Sequence, residues 1–298
     1  MKSGFVSIVG RANVGKSTLM NSLIGEKIAI VSDKPQTTRG RVTGIYNDDD
    51  VQLVFIDTPG IHTPKNKLGE HMIKTSAEAF SGVDVVLFVA EAKKPRTAEL
   101  QIIEKLKGSS VPVILVLNKV DIIPKGEVAE AIGEYSQLYP FASIIPVSAK
   151  REDGVDIVLN EILPYIDEGE LLYPTDIATD MTSRQLVEEI VREKFLNNLY
   201  DEIPHGIAIE TVVYKDTETT KGEPISNINI NIICEKEQHK GMIIGKKGAM
   251  LKKTMSEARA DIEDLLGQKI YMECHVKVRE NWRDNESLIR SYGLNFME

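Results

Sequence analysis

The residues most suited to chemistry lie near the start of the sequence, where two glycines flank a short segment that ends in Lys16 and Ser17. The segment, with Thr18 after it, reads Gly10-Arg11-Ala12-Asn13-Val14-Gly15-Lys16-Ser17 and fits the G-x-x-x-x-G-K-[ST] pattern of a phosphate-binding loop. Glycines at both ends let the backbone N–H groups point at phosphate oxygens, and the following helix adds its partial positive charge. We expect Lys16 to bridge β- and γ-phosphates and Ser17 to offer its hydroxyl to Mg²⁺.

A second segment with phosphate-directed chemistry follows the apolar run Val51–Ile56 and reads Asp57-Thr58-Pro59-Gly60. A carboxylate at the end of a strand can hold Mg²⁺ through a water molecule, and the N–H of Gly60 can reach a γ-phosphate. An isolated Asp-x-x-Gly sequence is more often a simple turn. Its place after the phosphate loop makes nucleotide binding the better interpretation, and we assign all four residues to it.

Two further segments predict recognition of a purine base. These are Asn118-Lys119-Val120-Asp121 and Ser148-Ala149-Lys150. Asp121 is an acceptor-only carboxylate, whereas guanine presents an N1–H and a 2-amino group side by side. We expect Asn118 to tie this loop to the phosphate loop and the stem of Lys119 to cover the base plane. A backbone N–H of the second segment would meet the guanine carbonyl oxygen, although that segment is weak evidence by itself.

Composition limits what kind of protein can carry these loops. The 298 residues suggest two domains, and 42% hydrophobic with 27% charged residues are typical of globular proteins. A net charge of −9 argues against a chain covered with nucleic acid but permits a local basic patch. Cys234 and Cys274 are too few for a disulfide framework, and no apolar run approaches the roughly 18 residues of a membrane span. Because an apolar strand starts almost at Met1, we expect no signal peptide and a cytoplasmic protein.

Residues 1–166 are predicted to form a doubly wound α/β domain, because short apolar runs alternate with helical patterns. The predicted strands are Phe5–Val9, Val51–Ile56, Val83–Ala90, Val111–Leu117 and Ser143–Val147. Their unbroken apolar character indicates a mainly parallel sheet that is buried on both faces. A polar tetrad separates Arg41–Tyr46 from Val51–Ile56, so we expect a hairpin and one antiparallel edge strand. Residues 167–182 show no sustained period and are predicted to be a linker.

Residues 183–298 are predicted to form an α+β domain. The predicted elements are a helix (Ser183–Leu199), strands Gly206–Tyr214 and Ile225–Cys234, a glycine-containing turn, a helix (Ala249–Leu266), a strand (Lys269–Val278) and a short C-terminal helix. The turn reads Ile-Ile-Gly-x-x-Gly, and residues 235–259 carry a net charge of +4. This resembles the signature of a KH domain, whose G-x-x-G loop binds about four nucleotides of single-stranded RNA. The candidate RNA-binding residues are Gly241, Ile244, Gly245, Lys246, Lys247, Gly248, Lys252 and Lys253.

The order of the loops in residues 1–166 resembles the GTPase superfamily. The resemblance implies that Thr38, or else Thr37, joins Mg²⁺ when γ-phosphate is present. Ile61 stands where many signalling GTPases carry a glutamine that orients water, so we expect slow hydrolysis that needs another device. Asn13 resembles the asparagine of cation-dependent GTPases in which K⁺ takes the place of an arginine finger; the alternative is a role in the turn alone. The candidate catalytic residues are Lys16, Thr38, Asp57, Gly60 and Asn13.

A GTPase domain followed by a KH domain resembles the Era family of bacterial ribosome-assembly GTPases over essentially the whole chain. The segments Pro35-Gln36-Thr37-Thr38-Arg39 and Asp57-Thr58-Pro59-Gly60-Ile61-His62 also resemble the switch sequences of that family. The resemblance implies a GTP-hydrolysing switch that binds GTP, GDP and Mg²⁺, binds 16S rRNA near its 3′ end and assists maturation of the small ribosomal subunit. It also implies a loose peripheral association with the inner face of the cell membrane, and we expect a monomer.

Three alternatives remain open from the sequence. A P-loop ATPase or metabolic kinase would share the phosphate loop, although Asn118-Lys119-Val120-Asp121 argues against an adenine nucleotide. The second domain could contact protein rather than RNA, against which its basic patch argues. Trp282, with Arg279, Arg283 and Arg290, either extends the RNA surface by stacking or packs inside the protein.

Overall fold

The computed structural model describes the chain except residues 35, 61–63, 65, 79–80, 201–202 and 295–298, and except the side chains of residues 77 and 78. The chain forms two compact units. The first comprises Met1–Val31, Thr38–Lys65 and Gly69–Asp180, and the second comprises Ser32–Thr37, Asn66–Leu68 and Met181–Glu298. The finer division into residues 1–166, 167–182 and 183–298 stays a prediction. Within the described part of the chain, no helix has the length and apolar character needed to cross a membrane.

Six strands of the first unit form one sheet in the order β2-β3-β1-β4-β5-β6. Strand β2 runs antiparallel to β3, and all other neighbours run parallel. The strands are β1 (Lys2–Val9), β2 (Val42–Asp48), β3 (Val51–Asp57), β4 (Val85–Glu91), β5 (Val113–Asn118) and β6 (Ser143–Pro146). The helices in this part of the chain are α1 (Lys16–Ile24), α2 (Lys67–Glu78), α3 (Thr97–Leu106), α4 (Lys125–Leu138) and α5 (Val155–Ile162). The predicted fold class is therefore confirmed for this unit, including the antiparallel edge strand.

The central strands β4 and β5 explain why the apolar runs in the sequence are unbroken. Every residue from Val85 to Ala90 is 0% exposed, and Val113–Leu117 are exposed by at most 2%. Helices cover both faces of such a strand, so both faces select apolar side chains. On one side, the ring of Phe88 packs edge-on against Tyr135 of α4, with their centroids 6.3 Å apart.

The parallel strands bring the predicted loops together at one edge of the sheet. Ile8 of β1 lies opposite Asp57 of β3, and Glu91 of β4 lies opposite Asn118 of β5. The phosphate loop, the Asp57 segment and the Asn118 segment each start where one of these strands ends. This is the edge at which open α/β sheets bind their ligands.

Residues 171–180 of the predicted linker have no helix or strand, yet they are attached to the sheet by hydrogen bonds. Gln52, which is 0% exposed, accepts from the N–H groups of Leu172 and Tyr173 at 2.7 and 2.9 Å. Its amide nitrogen donates to Asn47 Oδ1 at 2.7 Å and to the Tyr173 carbonyl oxygen at 2.9 Å. The N–H of Ile45 also donates to a carbonyl oxygen of this segment, at 2.8 Å. The segment therefore covers part of the otherwise unpaired edge of β2.

The second unit contains a three-stranded sheet in the order β7-β8-β9, antiparallel between the first two strands and parallel between the last two. Its elements are α6 (Ser183–Asn198), β7 (Ala208–Glu218), β8 (Pro224–Cys234), α7 (Glu237–Ile244), α8 (Ala249–Leu266), β9 (Lys269–Val278) and α9 (Glu286–Ser291). The core lies between one face of the sheet and the helices, and it includes Ile228, Ile230 and Ile232, all 0% exposed. The predicted α+β class is confirmed.

One expectation for this unit is wrong. Helix α7 occupies part of the segment that is predicted to be only a turn, and it ends where Gly245 adopts a φ of 72°. Of the two alternatives for Trp282, the structure supports packing inside the protein, because the side chain is 0% exposed and its Nε1 donates to the Gly206 carbonyl oxygen at 3.0 Å. Its ring also packs edge-on against Tyr292, so it belongs to the core.

We predict that Gln52→Ala lowers the free energy of unfolding by about 2–4 kcal/mol, because a fully buried side chain is truncated and two backbone N–H groups lose their acceptor. Urea denaturation measures this loss, and limited proteolysis should show faster cleavage within residues 171–180. Gln101→Ala is the matched control, since Gln101 is exposed on α3 and its truncation should change stability by less than about 0.5 kcal/mol. Equal stability of the two variants would contradict the anchoring role of Gln52.

Candidate nucleotide site and nucleic-acid interface

Local backbone geometry explains the residue types of the phosphate loop. A Cβ atom on Gly10 would lie 2.3 Å from the carbonyl oxygen of Val89, so only glycine fits there. Gly15 has a φ of 97°, and Asn13 has a φ of 64°, a conformation that asparagine adopts more readily than most residues. Helix α1 starts directly after the loop, at Lys16. The arrangement points backbone N–H groups and a helix N-terminus toward one place, which suits a phosphate group.

Lys16 is a buried cation within this loop. Its side chain Nζ donates to the Arg11 carbonyl oxygen at 3.1 Å, and the residue is 6% exposed. Burial lowers the pKa of Lys16, whereas the negative charge of Asp57 opposes that shift. A buried ammonium with few partners is costly for the protein and well suited to hold an anionic ligand.

Three oxygen atoms converge beside Lys16. The Ser17 hydroxyl donates to Asp57 Oδ2 at 2.6 Å, the Thr38 hydroxyl donates to the same oxygen at 3.1 Å, and the two hydroxyl oxygens lie 3.1 Å apart. Adjacent ligands in an octahedron with metal–oxygen bonds of 2.0–2.1 Å are separated by about 3 Å. The 3.1 Å between the two hydroxyl oxygens therefore fits two adjacent ligands of one Mg²⁺ ion, with the Asp57 carboxylate beside them. The neighbouring hydroxyl of Thr37 donates instead to the Lys34 carbonyl oxygen at 2.7 Å.

The burial of Asp57 and the unpaired oxygen of its carboxylate also support a metal site. Asp57 is 0% exposed, and its second oxygen, Oδ1, is buried without a hydrogen-bond partner. Burial raises the pKa of Asp57, while the charge of Lys16 and hydrogen bonds from Ser17, Thr38 and the Thr58 N–H oppose that shift. Across the described residues, no group of three or more His, Cys, Asp and Glu side chains could hold a metal ion.

The segment after Asp57 lies against the phosphate loop. A Cβ atom on Gly60 would lie 2.6 Å from the backbone nitrogen of Ala12, so the two backbones approach more closely than any other residue type permits. The Thr58 hydroxyl donates to the Ile8 carbonyl oxygen at 3.0 Å, and the Pro59 carbonyl oxygen accepts from the Ser76 hydroxyl at 2.7 Å. Ile61, His62 and Pro35 lie outside the described residues.

Asn118 joins the base-reading loops to the phosphate loop. Its Nδ2 donates to the Val14 carbonyl oxygen at 2.8 Å. Its Oδ1 accepts from the N–H groups of Lys119 and Ala149 at 2.8 and 3.0 Å. The side chain is buried and thereby holds three loops at fixed distances from one another.

The carboxylate of Asp121 is oriented by its neighbours. The Ser148 hydroxyl donates to Oδ1 at 2.8 Å, and Arg151 Nε lies 3.6 Å from Oδ2. Lys119 Nζ donates to the Asn13 carbonyl oxygen at 2.6 Å and to Glu91 Oε1 at 2.8 Å. The first unit thus brings the predicted phosphate, metal and base residues to one edge, with Lys150 exposed at its margin. The sequence analysis did not identify Glu91 or Arg151; the position of Glu91 at the end of a buried strand was the available signal.

The G-x-x-G loop connects α7 to α8 in the second unit. Gly245 and Gly248 have φ values of 72° and 78°, and Lys247 between them has a φ of 52°. A Cβ on Gly245 would lie 2.7 Å from Met250 Cβ, whereas one on Gly248 would meet nothing within 4 Å. Glycine is thus required sterically at the first position and conformationally at both. Four of the candidate RNA-binding side chains are exposed around this loop, and they are Lys246, Lys247, Lys252 and Lys253.

Comparison with known proteins identifies the family. Residues 5–119 match a family described as 50S ribosome-binding GTPase, and residues 202–283 match the KH domain family. GTPase Era of Ruminiclostridium cellulolyticum is 47% identical over 293 residues, which cover 98% of this chain and 97% of that protein. GTPase Era of Clostridium botulinum is 50% identical over 298 residues, 100% of this chain and 99% of that protein. The chain belongs to the Era family of GTPases.

Solved Era structures agree with this assignment along the whole chain. A crystal structure of Era in complex with MgGDPNP and nucleotides 1506–1542 of 16S ribosomal RNA has a TM-score of 0.95 and 39% identity, and the match covers 99% of this chain and 100% of that one. A single-residue variant of Aquifex aeolicus Era bound to GDP and AlF4⁻ has a TM-score of 0.94 and 38% identity at the same coverage. The predicted resemblance to the Era family is confirmed.

Two adjacent threonines of this Era-family protein provide a test of the metal site. Thr38→Ala should raise the Mg²⁺ concentration that supports half-maximal GTP hydrolysis by about tenfold or more, because a hydroxyl beside Ser17 and Asp57 is lost. Thr37→Ala removes the hydroxyl of the neighbouring threonine and should leave the Mg²⁺ dependence unchanged. Titration of Mg²⁺ in a phosphate-release assay measures both variants. If Thr37→Ala has the larger effect, Thr38 is not the metal ligand.

Proposed function

We propose that this Era-family GTPase binds 16S rRNA near its 3′ end through its KH domain and assists maturation of the small ribosomal subunit as a GTP-dependent switch. The observation that carries the RNA-binding part is the G-x-x-G loop with exposed lysines in and after it. The solved Era complex contains nucleotides 1506–1542 of 16S rRNA, which supports the small subunit as the partner. The family description that mentions the 50S ribosome applies to residues 5–119 and not to the KH domain.

Each residue of the nucleotide site has a specific role in this proposal. The backbone of the phosphate loop and Lys16 hold the phosphates, and Asp121 reads the guanine edge. Ser17 and Thr38 would hold Mg²⁺ directly, and Asp57 would hold it through water. Magnesium at this place supplies neutralisation of the charge that develops on the β- and γ-phosphates. Gly60, whose backbone lies against Ala12, offers its N–H to the γ-phosphate.

The environment of Asn13 supports a second cation, K⁺, as the device that compensates for Ile61. Asn13 lies in the phosphate loop with a φ of 64°, and Lys119 holds its carbonyl oxygen. A monovalent cation held here by the amide oxygen would add positive charge where an arginine finger acts in other GTPases. The alternative is that Asn13 only provides the left-handed turn.

The cellular setting belongs to the same proposal. A monomer that acts in the cytoplasm and associates loosely with the inner face of the cell membrane is what the Era resemblance supports. An ATPase or kinase would need a different group for base recognition, because the acceptor-only carboxylate of Asp121, which accepts from the Ser148 hydroxyl, would meet no pair of N–H donors on the corresponding edge of adenine. A protein-binding role for the second domain is the outcome that an RNA-binding test could favour instead.

The RNA-binding proposal is tested by reversing the charge of the G-x-x-G loop. Changing Lys246 and Lys247 together to Asp should abolish binding of an RNA that spans nucleotides 1506–1542, while GTP affinity is retained. Changing both to Ala should lower the slope of log affinity against log salt by about 0.7 for each lost phosphate contact. Filter binding across a salt series measures both effects.

The matched control changes Lys215 and Lys221 to Asp. Both are exposed in the same domain, outside the loop, and the change in net charge is identical. This variant should bind the RNA nearly as well as the wild type. Wild-type binding by the Lys246 and Lys247 double variant would exclude this loop as the RNA-binding element and favour a protein partner.

The K⁺ proposal predicts faster GTP turnover in potassium chloride than in sodium chloride at equal concentration. Asn13→Gly should erase that difference, and glycine preserves the left-handed backbone conformation, so backbone strain does not confuse the result. GDP affinity, measured by calorimetry, should stay within a few fold of wild type. Equal wild-type rates in the two salts would leave Asn13 with a role in the turn only.

A further inference from the structure

Four side chains of alternating charge form a continuous network of ion pairs that links the nucleotide loops of the first unit. Glu99 Oε1 accepts from Arg11 Nε at 2.6 Å, and Arg11 Nη2 donates to Glu91 Oε2 at 2.8 Å. The other oxygen of Glu91, Oε1, accepts from Lys119 Nζ at 2.8 Å. We call these four residues the ion-pair network. It connects Arg11 in the phosphate loop with Lys119 in the base-reading loop.

Glu91 occupies the central position of the ion-pair network because the sheet register places it beside the base-reading loop. It is the last residue of β4 and lies opposite Asn118 in the register with β5, next to the start of the base-reading loop. The N–H of Ala92 also donates to the Asn118 carbonyl oxygen at 2.9 Å, which fixes the backbone at this point. Each carboxylate oxygen of Glu91 therefore faces a different loop, and one side chain contacts both.

The burial of these groups makes their interactions stronger than those of ordinary surface ion pairs. The Glu99 side chain is 4% exposed, and those of Arg11 and Glu91 are 21% and 20% exposed. Burial raises the pKa of Glu91, but the hydrogen bond and charge of Lys119 together with the charge of Arg11 lower it further, below its usual range. Glu91 is thus ionised near neutral pH. Partly desolvated networks of this kind resist screening by salt better than exposed pairs.

We propose that Glu91 is a positioning residue for the guanine nucleotide: its carboxylate holds the Lys119 side chain where its stem covers the base, while Arg11 fixes the carboxylate itself. The inference rests on the proposed base-reading role of Lys119. Asn118 links the same two loops with neutral hydrogen bonds, and Glu91 adds a charged link between them. Glu99, which lies on α3, completes the ion-pair network by accepting from Arg11. Its other oxygen, Oε2, accepts from the Arg96 N–H at 3.1 Å.

The test uses Glu91→Gln, which keeps the shape of the side chain and removes its charge. A fluorescent guanine nucleotide should dissociate about tenfold faster from the variant, because the negative charge is lost and one carboxylate oxygen becomes an NH2 group that cannot accept from a cation. The increase should be the same for GDP and for a non-hydrolysable GTP analogue, since the base and the loop are common to both. The single-turnover rate constant for hydrolysis of bound GTP and the thermal midpoint of the nucleotide-free protein should stay near wild type. This separation of binding from chemistry and stability distinguishes positioning from a general structural role.

Two further variants complete the test. In a Lys119→Met background, Glu91→Gln should accelerate dissociation by less than about twofold, because the group that it positions is already removed. Glu91→Asp keeps the charge but is too short to contact both cations, so its dissociation rate should lie between wild type and Glu91→Gln. Glu263→Gln is the matched control: Glu263 also bridges two cations, Arg259 at 3.0 Å and Lys269 at 2.7 Å, but in the KH domain. It should leave nucleotide dissociation unchanged.

The possible failures are distinguishable. If Lys119→Met accelerates dissociation while Glu91→Gln does not, the proposed base-reading loop stands and the positioning role of Glu91 is overturned. If Glu91→Gln has its full effect in the Lys119→Met background, or if its thermal midpoint falls with nucleotide affinity, Glu91 acts through general structure and the inference is overturned. If Lys119→Met itself has wild-type dissociation, the proposed role of Lys119 fails and the inference fails with it.

Discussion

The amide of Asn118 hydrogen-bonds to both the phosphate loop and the base-reading loops, and the geometry of the nucleotide site depends on these contacts. The loops themselves have no common secondary structure, and each is only as well placed as the strand that precedes it. The parallel register brings those strand ends to one edge, and the bonds from Asn118 to Val14, Lys119 and Ala149 then fix the loops relative to one another. Two of these bonds are buried and the third, from the Lys119 N–H, is partly buried, so competition with water is reduced.

The charges within this frame are placed for ligand chemistry at a cost to folding. Burial opposes ionisation at both members of the Lys16–Asp57 pair, lowering one pKa and raising the other. A buried pair of this kind gives less stability than an apolar pair of similar size would. The unpartnered Oδ1 of Asp57 adds to that cost. Such features are expected where a metal and a polyphosphate provide the missing interactions, and the apolar strands β4 and β5 supply the compensating stability.

Much of the fold and of the candidate site could be predicted from the sequence, because local signals and global structure agree there. Unbroken apolar runs identify parallel strands, and the glycines of the phosphate loop mark places where a side chain would clash or the backbone is left-handed, as Gly10 and Gly15 show. The features that the sequence did not reveal depend on contacts between distant residues. Nothing local to Gln52 indicates that it binds residues 172 and 173, and nothing local to Trp282 separates a buried ring from an exposed one. Helix α7 was missed because Gly241 resembles a turn signal in sequence, although a single glycine within a helix costs only about 1 kcal/mol.

The two sites of this Era-family protein bind their ligands by different physical means. The nucleotide site holds its charges in a buried frame, where Lys16 is 6% exposed and solvent screening is weak. The G-x-x-G loop instead presents exposed lysines on a backbone that two glycines hold in left-handed conformations, so the RNA binding proposed for it would depend on counterion release. Nucleotide affinity should therefore depend little on ionic strength while RNA affinity falls steeply with it. We therefore expect the protein to keep its nucleotide bound at salt concentrations that already weaken its binding to RNA.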